Sequence, residues 1–168
     1  MPFGMYQASV PALVNMLNNL HSILAKAEAF AAEYKIEPSV LLNWRLAPDM
    51  FPLTRQVQIA SDIAKGGAAR LAGREVPSYA DDEASFAELK ARIEKTIKFI
   101  ESIPPEEIDG SEDRDIALKV GGQEMRFKGA AYLGHFVLPN LYFHATTTYA
   151  ILRRCGLEIG KRDFLGAI

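Results

Sequence analysis

Four long stretches of this chain repeat apolar residues at spacings of three and four, and each must bury one face against the others. In residues 8–34 the stripe is Leu13, Leu17, Leu20 and Leu24. In a second stretch, running to about Leu71 and stopping at Gly73, it is Leu53, Val57, Ala60, Ala64 and Leu71, with Arg55, Gln58, Asp62 and Lys65 expected on a solvated face. Asp49 is placed to cap this helix and Pro52 falls in its first turn. The pair Gly66-Gly67 costs roughly 1 kcal/mol per residue against alanine, which points to a close helix–helix approach there. Asp81-Asp-Glu83 is expected to open a third helix with the stripe Phe86, Leu89, Ile93, Ile97 and Ile100, ended by Pro104-Pro105. The fourth runs from about Ala130 to Cys155, with Gly156 as a left-handed stop. Stripes of this kind close into a four-helix bundle, an all-α single domain over residues 1–168.

One segment breaks the helical period. Ile116, Leu118 and Val120 alternate with polar residues, Gly121-Gly122 turns the chain, and Met125 and Phe127 alternate back. A two-residue turn pairs Val120 with Gln123, Leu118 with Met125, Ile116 with Phe127, and Lys119 with Glu124. A small β-hairpin is therefore inserted before the last long helix, and its apolar face has to cover the bundle. Residues 106–114, just before it, read as an acidic loop. The tail, with Leu157, Ile159, Phe164, Leu165 and Ile168, is too apolar to hang free and should dock on the body or on a second subunit.

Bulk properties narrow the function classes. A net charge of -2 lacks the basic footprint of a nucleic-acid binder. No run reaches the roughly 18 apolar residues of a membrane span, and Met1–Tyr6 carries no secretory signal, so a cytoplasmic location is expected. The single cysteine, Cys155, excludes an internal disulfide and a Cys-rich zinc module. At the C-terminal end of a helix it reads as a packing residue, not a nucleophile. Gly121-Gly122 is a turn and not a phosphate loop.

The residues with chemical potential are few. On the last helix, Leu133, Val137, Asn140, His144, Thr148, Ile151 and Cys155 share one face, so Asn140 and His144 are neighbours directed toward the core. His21 lies between Leu17 and Leu24 on the first helix, again on the apolar side. Two inward histidines from different helices have the chemistry for a metal ligand or an acid/base. The alternative is that each is a buried imidazole satisfied by a neighbouring carbonyl or hydroxyl. His135 is about half a rotation from His144 and is the poorer candidate. Pro139 removes the helix hydrogen bond to the His135 carbonyl and should kink the helix. Trp44, Tyr142 and Tyr149 are pocket-lining or core aromatics.

The segments Arg45-Leu-Ala-Pro-Asp49-Met-Phe-Pro52-Leu, Gln56-Val-Gln-Ile-Ala, Ala69-Arg-Leu-Ala-Gly73, Asp81-Asp-Glu83, Pro139-Asn-Leu-Tyr-Phe-His144 and Gly160-Lys-Arg-Asp-Phe-Leu-Gly166 resemble the domain-of-unknown-function 1993 family over nearly the whole chain. That family is similar to the wider DinB/YfiT-like superfamily of four-helix bundles. The superfamily resemblance implies a divalent metal, zinc or nickel, on three histidines, one from the second helix and two from a His-x-x-x-His pair on the last. It also implies thiol-dependent transferase or hydrolase activity in some members, and dimers in many.

Carried over by position, His144 stands twelve residues before Gly156, where the superfamily's second histidine stands before its helix-ending glycine. Asn140 occupies the place of the first histidine, and the region from Gln56 to Ile59 holds none. Asparagine and glutamine are weak zinc ligands compared with imidazole. The expectation is a cytoplasmic homodimer that binds a small molecule in an inter-helix polar pocket around His144, Asn140, His21, Gln56 and Asp49, with the metal site altered or lost and no cofactor. The rival is a metal-dependent hydrolase or thiol transferase in which His144 and His21, helped by Gln56 or Asp49, hold the ion. A third reading is a non-catalytic assembly module.

Overall fold

The structure is a computed structural model that describes residues 3–166; Met1, Pro2 and, in the tail, Ile168 lie outside the described residues. The helices are α1 (Met5–Glu33), α2 (Pro38–Leu42), α3 (Leu53–Leu71), α4 (Phe86–Glu101) and α5 (Pro105–Ile108). The strands β1 (Asp115–Val120) and β2 (Gln123–Lys128) follow. Then come α6 (Gly129–Ala131), a π-helical stretch (Tyr132–Val137), α7 (Leu138–Arg154) and α8 (Lys161–Leu165). The bundle is built from α1, α3, α4 and α7: α3 packs on α7 and α4, and α1 packs on α4 and α7. Among the described residues no helix is long and apolar enough to cross a membrane.

The expected stripes form the core. Leu13, Leu17, Leu20 and Leu24 of α1 are buried against Leu53, Val57, Ala60, Ala64 and Leu71 of α3 and Phe86, Leu89, Ile93 and Ile100 of α4. The hairpin has the expected register throughout, from Asp115 opposite Lys128 to Val120 opposite Gln123. Gly121 and Gly122 both take positive φ, 56° and 82°, as a two-residue turn requires. Ile116 is buried, and Phe127 packs against Tyr132 and Phe136, while Met125 near the tip stays exposed. The tail docks on α1 of the same chain: Asn19 Nδ2 donates to the Phe164 carbonyl at 2.9 Å and Lys26 pairs with Asp163 at 2.5 Å.

Several expectations need correction, and each has a local cause. Gln58 and Lys65 do not sit on a solvated face; they are 4% and 3% exposed. The loop between α3 and α4 lies over that face, so Gln58 Nε2 donates to Glu83 at 2.8 Å and the Lys65 ammonium rests 3.7 Å from the Tyr79 ring centre. Asp81, Asp82 and Glu83 consequently belong to this loop and not to a helix. Helix α4 starts at a capping box instead: Ser85 accepts from the Glu88 N–H, and the Glu88 carboxylate accepts from the Ala84 N–H and the Ser85 hydroxyl. Asp49 does not cap α3. It is exposed in a turn, Pro52 occupies the cap position, and the first helical N–H is satisfied by the Trp44 carbonyl at 2.9 Å. Residues 106–114 are not all loop, because Pro105–Ile108 makes one helical turn.

Buried Arg92 of α4 fastens the loop. Its side chain is 2% exposed and pairs with Asp62 at 2.8 Å, Asp81 at 3.0 Å and Glu83 at 2.9 Å, and it donates to the Ala80 carbonyl. A charge so far from water is held only by such partners.

Pro139 acts differently from a simple kink. The preceding turn widens into the π-helical stretch Tyr132–Val137, which absorbs the missing proline N–H and continues into α7. This stretch sits against Gly67: a Cβ there would lie 2.6 Å from Val137 Cγ1. The glycine pair thus has a packing reason at Gly67. Alanine at 67 gains about 1 kcal/mol in helix propensity, but the stiff valine cannot step aside, and overpacking costs roughly 1–3 kcal/mol. Gly67→Ala should therefore lower the urea midpoint. In a Val137→Ala background the same change should be neutral or stabilising, and an equal loss in both backgrounds would refute the close contact.

Candidate functional site

Between α3, the π–α7 segment and the hairpin lies an open cavity of about 480 Å³. Its polar lining includes Arg55, Asp62 and Arg70 from α3, Tyr132 from the π-helical stretch, and Asn140 and His144 from α7. Apolar walls come from Phe51, Ile59, Ile63, Leu118, Val120 and Phe136.

Gln56, in the first turn of α3 and 1% exposed, fixes the histidine. Its Nε2 donates to the Phe51 carbonyl at 3.1 Å, and its Oε1 lies 2.7 Å from His144 Nδ1. A backbone carbonyl can only accept, so the amide nitrogen must face Phe51 and the amide oxygen must face the imidazole. His144 Nδ1 is then the donor. In the neutral ring this leaves the Nε2 lone pair without a protein partner among the described residues, on a side chain that lines the cavity. Burial, and secondarily the Arg55 charge, hold the His144 pKa below the ordinary value.

Asn140 is held separately. Its Nδ2 donates to the Phe136 carbonyl at 2.7 Å, closing the seam where the π-helical turn passes into α7. Its Oδ1 has no protein partner among the described residues. Asn140 and His144 therefore share a cavity without bonding each other, and both are half-buried. The fully buried face of α7 runs through Leu141, Ala145, Thr148, Ile151 and Leu152. Leu133, Val137, Thr148 and Ile151 of the expected stripe are buried, whereas Asn140 and His144 sit at its margin, where the helix borders the cavity.

The other sequence candidates lie elsewhere. His21 pairs with Glu94 of α4 at 2.9 Å, is about one-third exposed, and does not meet His144. Asp49 and His135 are exposed. Cys155 is half-buried and its thiol pKa is raised by burial, as suits a packing residue. Trp44 and Tyr142 are largely exposed, and Tyr149 packs edge-on to Phe164.

The donor set does not fit a three-histidine metal. Among the described residues no group of three or more His, Cys, Asp or Glu side chains converges. His144 is accompanied only by Gln56, whose amide atoms are both engaged, and by Asn140. A tetrahedral zinc site wants at least three protein ligands of nitrogen, sulfur or carboxylate type.

Sequence reasoning passed over Arg55, Arg70 and Tyr132. Arg70 donates to the Tyr132 hydroxyl at 3.1 Å, and Tyr132 stacks on Phe136 at 5.6 Å. A signal was present: Arg55, Ile59, Asp62, Gly66 and Arg70 recur at spacings of three and four, so they form one face of α3.

The family profile described as "Domain of unknown function (DUF1993)" matches residues 5–165. Among solved structures, the crystal structure of a DinB family member protein from Shewanella denitrificans at 1.83 Å resolution superposes with a TM-score of 0.88 and is 42% identical, covering 97% of this chain and 92% of that one. A comparison with curated proteins gives no match.

The depressed His144 pKa sets a pH dependence. As pH falls below the ordinary histidine value of about 6.5, the unfolded chain takes up a proton before the folded one. The His144 contribution is therefore intact above that value and is lost as pH drops toward the lower folded pKa. Carboxylates stay ionised above about pH 5. The urea midpoint should fall between pH 7 and 5 in the wild type, and His144→Gln should flatten that slope. An unchanged slope in the variant would contradict the assignment.

Proposed function

Starting from membership in the DUF1993 family, to which this chain belongs, and from its DinB-like fold, we propose that the protein binds a small molecule in the cavity between α3, α7 and the hairpin, with the superfamily's metal site altered. The observation that carries this reading is the pinned imidazole. Gln56 holds Nδ1 at 2.7 Å, so a neutral Nε2 acceptor is presented to a cavity of about 480 Å³, alongside an unpaired Asn140 Oδ1. Ligand pockets are commonly concave spaces of roughly 300–1,000 Å³, with mostly apolar walls and a few fixed polar groups. The proposed site has that composition.

The test is a protein-observed NMR titration with a library of small organic fragments. Binding fragments should shift resonances of Gln56, Asn140 and His144 together. His144→Ala and Asn140→Leu should remain folded by circular dichroism and weaken those fragments several-fold. Shifts confined to other regions, or none from any fragment, would refute the reading. Unfolding of both variants would instead assign the pair to a structural polar network.

A further inference from the structure

The cavity described above has an unbalanced set of charges. Asp62 is already engaged by Lys65 at 2.9 Å and by Arg92 at 2.8 Å, and Arg55 by Asp81 at 2.5 Å. Two cations of the lining have no carboxylate partner among the described residues: Lys119, exposed on the hairpin, and Arg70, the one carried by α3, whose one hydrogen bond goes to the neutral Tyr132 hydroxyl. A Cβ at residue 66 would lie 2.5 Å from the Arg70 Nη1, so the glycine makes room for the guanidinium to lie back along α3. Of the five N–H donors of an arginine, most remain to be satisfied at this cavity wall.

The polar groups at the opposite end have the reverse character. His144 Nε2 and Asn140 Oδ1 are acceptors without protein partners among the described residues. At 1.5 Å rise per residue, the stretch of α3 from Gln56 to Gly66 places the two ends on the order of 15 Å apart. Ile59 and Ile63 line the path between them, faced by Leu118 and Phe136.

Resting on the small-molecule reading, we propose that the occupant is a medium-chain organic acid, its carboxylate paired with Arg70 beside Tyr132, its apolar chain along Ile59, Ile63, Leu118 and Phe136, and a donor group at its far end facing His144. A planar guanidinium suits a carboxylate, and charge-assisted bonds are the strong ones in a partly dry site.

The probes are 8-hydroxyoctanoate and 1,8-octanediol, which match in length and differ in the charged end. In an NMR titration both should shift the cavity resonances, and the acid should bind about tenfold more tightly, the effect of one charge-assisted pair. Arg70→Gln should erase this preference, weakening the acid about tenfold and the diol by much less. Because Arg70 also steadies Tyr132, Gly66→Ala provides a second route: it displaces the guanidinium and should reduce the preference, while Tyr132→Phe keeps the cation and should preserve it. Equal binding of acid and diol in the wild type would overturn the acid assignment and leave the small-molecule reading standing. A preference that survives both Arg70→Gln and Gly66→Ala would overturn the role of Arg70. Absence of cavity shifts from both probes would overturn the acid proposal, with the fragment titration deciding the broader reading independently.

Discussion

Helix α3 is enclosed on three sides, by α7, by α4 and by the loop that carries Tyr79 to Glu83, and this enclosure governs the rest of the molecule. A helix so surrounded keeps only the partly solvated face that Arg55 and Asp62 turn to the cavity. Each polar side chain on its covered faces needs a partner, since an unpaired buried polar group costs about 1–3 kcal/mol. Gln58 finds Glu83, Ser61 bonds Thr96 at 2.7 Å, Lys65 rests on Tyr79, and Gln56 spans the Phe51 carbonyl and His144. Arg92 completes the arrangement by drawing Asp62, Asp81 and Glu83 to one buried guanidinium.

The candidate site follows from the same constraint. Gln56 is buried because α3 is enclosed, and a buried glutamine with one amide end on a backbone carbonyl leaves only its oxygen for the imidazole. On the facing element, the π-helical turn made at Pro139 lets Val137 close on Gly67 and puts Tyr132 beside Arg70. The cavity therefore lies beside two local irregularities, the Gly66-Gly67 pair of α3 and a widened helical turn. The fold is that of DinB family proteins, while the donors around His144 are amides where the superfamily resemblance implies imidazoles.

Much of the fold was legible from residue periodicity. The hairpin register followed from alternation and a two-residue glycine turn, both local properties. The four stripes followed from helical spacing and are largely buried as expected, apart from half-buried Ile97 of α4 and Asn140, His144 and Cys155 at the last helix. What escaped depends on contacts distant in sequence. Lys65 and Gln58 look solvated until the aperiodic loop over them is placed. Asp49 has cap chemistry, but the Trp44 carbonyl had already satisfied the first N–H. The Pro139 disturbance was foreseeable, yet its outcome is a π-helical turn packed against Gly67 of α3, a contact distant in sequence. Of the candidate site, Asn140, His144 and Gln56 were legible. His21 failed because a position between two buried leucines is also the margin of the helix, where Glu94 reaches it.

The central claim is that Gln56 holds His144 as the neutral Nδ1–H tautomer, with the Nε2 lone pair left to the cavity. Nitrogen-15 NMR of the imidazole ring at neutral pH reads this directly. A protonated Nδ1 and an unprotonated Nε2, with the tautomer preference weakened in Gln56→Ala, is the result expected. A protonated Nε2 and a bare Nδ1 in the wild type would contradict the account.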